Sequence, residues 1–150
     1  MKNISNEADY SEIRNRIQNL SAANTRLWGK MDIEQMLLHC TTQLKLAVGE
    51  ISSHTQGPSF MRSSLGKWIL FSAVPWPKGV DTPAEMNAER AQFSLTGIEN
   101  EKQDLLNYLE NAKGEVELMP HPFFGKLNRQ EWARLIYKHL DHHLNQFGSR

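Results

Sequence analysis

The stretch Glu131-Trp132-Ala133-Arg134-Leu135-Ile136-Tyr137-Lys138-His139-Leu140-Asp141-His142-His143-Leu144-Asn145-Gln146-Phe147 constrains the fold of this chain more than any other. At about 100° per residue from Trp132, the side chains Leu135, Ile136, Leu140 and Phe147 gather on one side, as in an amphipathic helix. His139 and His143 fall at about 340° and about 20° on that wheel, in the middle of the apolar arc. Two imidazoles four residues apart stand one above the other on a single helix face. Burying both costs free energy unless each finds a partner, and a shared divalent cation satisfies the two together. The alternative is a pair of core histidines hydrogen-bonded to carbonyls or carboxylates, and spacing alone leaves both readings open.

A helix of this kind needs other helices to cover it, and four more segments show the required pattern. Tyr10, Ile13, Ile17 and Leu20 place a helix over about Tyr10 to Leu20. Asp32 with Gln35 three residues on reads as a capping box. It opens a stripe of Ile33, Met36, Leu37, Cys40, Leu44, Ala47 and Val48 that stops at Gly49. A third helix is expected from Ser59 to Val74, closed by Pro75, and a fourth from about Glu99 to Lys113, ended by Gly114. The last opens at Asn128, capped with Glu131, and runs to just before Gly148, about 30 Å at 1.5 Å per residue. Pro75 to about Ile98 keeps no period, and Pro75, Pro77, Gly79 and Pro83 mark it as a long Pro-rich connection. Val116-Glu117-Leu118 alternates too briefly to make a strand. The expectation is an all-α bundle, and 150 residues suit one domain spanning residues 1–150.

Charge bounds the partners. Seventeen basic residues balance seventeen acidic ones, so no global field draws the chain to nucleic acid or an anionic membrane. The apolar patch from Trp68 to Trp76 is interrupted by Ser72 and Pro75 and falls short of the ~20 residues that span a bilayer. Met1 to Glu7 lacks the apolar core of a secretory signal, and one cysteine, Cys40, admits no internal disulfide and suits a reducing compartment. Cytoplasmic localisation is expected.

Three blocks together resemble a DinB-related family of bacterial domains of unknown function. They are Leu27-Trp28-Gly29-Lys30-Met31-Asp32-Ile33-Glu34-Gln35-Met36-Leu37-Leu38-His39-Cys40, then Pro77-Lys78-Gly79-Val80-Asp81-Thr82-Pro83, and finally His121-Pro122-Phe123-Phe124-Gly125-Lys126-Leu127 with Glu131-Trp132 and His139 through Gly148. The resemblance covers most of the chain, from Trp28 to Gly148. It implies the DinB/YfiT-like fold, an up-down-down-up bundle of four main helices, here with an extra short helix, and often dimeric. It also implies a divalent metal held by His39, His139 and His143. Relatives in that superfamily include thiol transferases and thiol-dependent isomerases, in which the metal is thought to activate a low-molecular-weight thiol.

The functional expectation is therefore a metal-dependent enzyme, foremost an S-transferase acting on a small molecule, with zinc favoured over nickel, iron or manganese. A metal-dependent hydrolase, or a non-enzymatic metal-binding or stress-related bundle, are the alternatives. His39 rests on the resemblance: on its own helix it lies at about 240°, on a flank beside Leu46 and outside the apolar stripe. His142, at the edge of the arc, reads as a half-exposed surface histidine. His121, between two prolines, reads as structural and His54 as solvated. Cys40 lies inside an apolar stripe and reads as a buried small hydrophobe, not a nucleophile. Gln146, three residues after His143, is placed to orient a ligand or a bound water. Trp28, Trp68, Trp76 and Trp132 are expected in the core or a dimer seam, with Trp76 the one to reach a substrate pocket.

Overall fold

The computed structural model describes residues 1–72, 75–76 and 95–150. Among these, five α-helices and one 3-10 helix carry the structure, and no strand is formed. They are α1 (Glu7–Gln18), α2 (Ile33–Ala47), a 3-10 turn (Ser59–Arg62), α3 (Ser64–Leu70), α4 (Ile98–Lys113) and α5 (Arg129–Gln146). The all-α expectation holds. No helix of the described residues is long and apolar enough to cross a membrane.

The helix ends follow local chemistry. At α2 the Asp32 carboxylate accepts from the Gln35 backbone N–H at 2.8 Å, and the Gln35 side chain returns the bond to Asp32. Asn128 and Glu131 do the same for α5. Both capping boxes were legible in sequence. α1 starts one turn earlier than its apolar spacing suggests, because Asn6 caps it through the Asp9 N–H and the first turn, Glu7 to Asp9, is polar.

The expected helix from Ser59 to Val74 is corrected. Ser63 accepts from the Gly66 N–H and caps a new helix, so a 3-10 turn and a seven-residue α3 replace one continuous rod. A side chain on Gly66 would lie 2.4 Å from the Phe60 carbonyl oxygen, which is why this tight corner takes glycine. Val74 and the block from Pro77 to Pro83, with most of the Pro-rich connection, lie outside the described residues.

α1 packs against α4 and α5, and α2 against α4 and α5. One core joins Ile13 and Ile17 of α1, Met36, Leu37, Cys40 and Leu44 of α2, Leu105 and Leu109 of α4, and Leu140 and Leu144 of α5. The segment ahead of α1 joins it too: Ile4 is fully buried, and its N–H bonds the Ala133 carbonyl of α5 at 3.2 Å. Cations close the seams. Arg16 is buried and reaches Asp141 at 2.6 Å, Asn145 at 3.2 Å and the Ser149 carbonyl at 2.7 Å. Lys102 donates to the carbonyls of Gln18 and Leu20 at 3.1 and 2.9 Å, capping the end of α1 from α4.

A candidate metal centre between two helices

His139 and His143 stand one turn apart on α5, as their spacing requires, and the ring centroids are 4.7 Å apart. His39 faces them from α2, with its centroid 5.1 Å from His139 and 4.8 Å from His143. All three residues assigned by resemblance thus meet at one point. One donor atom from each lies within 4.8 Å of the others, and this trio can hold a metal ion. His39 and His143 are buried and His139 is half-buried.

Sequence periodicity placed His39 on a flank because it presumes one covered face. α2 has two covered faces: it packs against both α4 and α5, and Met36, Leu37, His39, Cys40, Thr41, Thr42, Leu44 and Leu46 are all buried. A flank of such a helix is interior.

The ring nitrogens of two of the three histidines are close enough to share either a proton or an ion. Nε2 of His39 and Nε2 of His139 lie 3.2 Å apart. Around a tetrahedral ion with bonds of about 2.1 Å, adjacent donors sit about 3.4 Å apart. Burial makes the charged form of these rings costly. His139 is held well below its ordinary pKa by desolvation, with the neighbouring imidazoles adding to the effect. His143 is lowered to about 3, again mainly by burial. His139 and His143 are thereby held neutral near pH 7, and a neutral imidazole is the form that binds a cation. Three imidazole nitrogens are ligands that suit a first-row divalent ion, and the His39–His139 spacing matches one, while the trio as a whole spans up to 4.8 Å and would have to draw in slightly around it.

Around this cluster runs an aromatic wall. Trp76 approaches His139 and His142 with centroids 6.0 and 6.1 Å away, and Trp28 meets His142 edge-on at 6.1 Å. His142 itself packs edge-on against His143 at 5.2 Å. It is half-exposed, as its place at the edge of the apolar arc implies, and its ring packs between Trp28 and Trp76. Lys138 sits over the Trp76 ring at 5.7 Å and donates to the Leu70 and Ser72 carbonyls at 2.8 and 2.9 Å. Trp132 is core, whereas Trp68 is 71 % exposed and lies on the surface of the chain.

The remaining candidates stand apart. His121 is buried against Phe124 and Trp132. Its Nδ1 accepts from the Phe123 N–H at 3.1 Å, and burial lowers its pKa to about 4. It holds the turn closed by the His121–Gly125 backbone pair and is structural. Cys40 is fully buried, desolvation pushes its thiol far up, and its sulfur lies 3.8 Å from that of Met36. His54 is exposed. Gln146 is buried, and its Oε1 lies 3.0 Å from Nδ1 of His143. The Trp28 carbonyl on the far side of that amide, 2.8 Å from its Nε2, was not found from sequence, since nothing local to Trp28 points to α5. Gly29 beside it, with φ +85°, was the visible signal of a special turn.

Comparison with known proteins gives one match. A family model described as "protein of unknown function (DUF1569)" covers residues 6–150, and the chain belongs to that family. No curated protein and no solved structure matches the chain.

Proposed function

We propose that this DUF1569 protein is a divalent-metal-dependent enzyme of DinB/YfiT-like type, foremost a thiol-dependent S-transferase acting on a small electrophile. One observation carries the reading: three imidazoles from two helices bring one nitrogen each within 4.8 Å of the others, with two Nε2 atoms 3.2 Å apart. The packing of α1 and α2 each against α4 and α5 supports a bundle of four main helices, to which the proposal adds an up-down-down-up order in a single domain. The shared nitrogen ligands suit zinc, which we favour, and also nickel, iron or manganese. His39, His139 and His143 would hold such an ion, which would supply a Lewis acid able to lower the pKa of a thiol or water.

The chain's own residues divide the work. His39, His139 and His143 would hold the ion, while Trp28, Trp76 and His142 pack beside them and would line the approach of a substrate. In such a transfer the thiol would give up its proton to solvent, and its sulfur would form an S–C bond as the electrophile's leaving group departs with the electron pair of the broken carbon bond. The same ligands in a hydrolase would call for a base beside the centre. The nearest acidic residue in sequence, Asp141, is turned away and engaged by Arg16. That favours the thiol reading over hydrolysis. A purely structural site is the other reading, and the half-buried position of His139 speaks for access. Cytoplasmic location, a low-molecular-weight thiol as co-substrate and a homodimer complete the proposal.

The test is metal analysis of protein purified without added ions. About one equivalent of a first-row divalent metal is expected in the wild type and a loss of tenfold or more in His139→Ala. Equal and negligible metal in both would overturn the assignment. With metal present, turnover that depends on added thiol separates transferase from hydrolase.

A further inference from the structure

The structure assigns Gln146 and Gly29 as a positioning pair that fixes which nitrogen of His143 faces the metal centre; this rests on the metal reading above. The Gln146 side chain is 4 % exposed and bridges two groups. Its Nε2 donates to the Trp28 carbonyl at 2.8 Å, and its Oε1 lies 3.0 Å from Nδ1 of His143. A carbonyl oxygen only accepts, so the Trp28 end must be met by the amide NH2, and the amide cannot flip without losing that bond. Oε1 is thereby committed to His143. An amide oxygen also only accepts, so Nδ1 of His143 carries the proton. In a neutral ring the lone pair is then on Nε2. Orientation of a ligating imidazole by a hydrogen bond to its other nitrogen is a general device of metal sites.

Gly29 makes the arrangement possible. Its φ of +85° is a left-handed conformation suited to glycine, and a Cβ built there would lie 2.2 Å from Nε2 of Gln146. Only a residue without a side chain lets the amide reach the Trp28 carbonyl. The Leu27 N–H bonds the Gln146 main-chain carbonyl at 2.8 Å, so the loop clasps both the backbone and the side chain of this residue. A loop far from α5 in sequence thus acts on the centre through one amide, without touching the ion.

Two measurements test the proposal. Long-range 1H–15N NMR of the metal-free protein reports the His143 tautomer directly: Nδ1–H is expected in the wild type and a loss of that preference in Gln146→Ala. Zinc affinity by competition titration is expected to fall 10–100-fold in Gln146→Ala. Gly29→Ala is expected to weaken zinc about tenfold in the wild type yet add nothing in the Gln146→Ala background, the non-additivity of two residues acting through one contact. An Nε2–H tautomer in the wild type overturns the proposal, as does zinc affinity within twofold in folded Gln146→Ala. Should Gln146→Ala not fold, an unchanged tautomer and affinity in Gly29→Ala overturns it. A wild-type protein that binds no zinc removes the metal reading, while the tautomer still decides whether Gln146 sets the ring.

Discussion

His121 shows how one buried ring couples stability to acidity. Its pKa is lowered from 6.5 to about 4 by burial. Below pH 6.5 the unfolded chain takes up a proton that the folded chain refuses. The neutral ring's contribution is therefore intact above about pH 6.5 and is lost as pH falls to about 4, about 3 kcal/mol in all. Urea unfolding of chelator-treated protein at pH 7, 5.5 and 4.5 should show this slope. His121→Asn keeps an acceptor near the Phe123 N–H but cannot titrate, and it should unfold with a shallower pH dependence than the wild type. An equal slope in both would locate the acid sensitivity elsewhere. At this scale the sequence was informative where chemistry is local: the spacing of His139 and His143, and the apolar setting of Cys40. It was silent on Gln146's far partner, because Trp28 and Gln146 are neighbours only through folding.

Elements were legible to the extent that their ends carry side-chain caps. α2 and α5 begin with reciprocal capping boxes and were read correctly at their starts. α1 and α3 depart from expectation for one reason: a polar cap, Asn6 or Ser63, outranks apolar spacing in deciding where a helix begins. The end of α1 depends on another element, since the Lys102 ammonium, itself buried, satisfies the Gln18 and Leu20 carbonyls. Lys102→Met leaves both without that donor and should cost about 2 kcal/mol, with faster amide exchange in the last turn of α1. Glu99, the lysine's other partner, is largely exposed. Glu99→Gln should change stability by less than about 0.5 kcal/mol. Comparable losses in the two variants would mean that the ion pair, not the capping of carbonyls, is what matters.

For the molecule as a whole, a single core runs from Ile4 to Phe147, so metal and fold are expected to share one cooperative transition. Zinc at a hundredfold excess over its Kd stabilises a folded state by about 3 kcal/mol. For a chain of this length that is about 5–10 °C in Tm. Chelator should reverse the gain and His139→Ala should abolish it; a Tm indifferent to zinc in the wild type would deny any link between centre and core. The all-α class could be read from periodicity, but the meeting of His39 with the α5 pair could not. It depends on α2 being enclosed on two sides, which no pattern within α2 records.

Two of the three imidazoles ride on one rod and the third on another. The gap between α2 and α5 therefore works as a caliper whose jaws are set by the leucines and other apolar side chains of the core. Were an ion held between them, distant packing would gauge its radius, and enlarging or trimming a side chain in that seam would change which cation the jaws accept, with every ligand left in place.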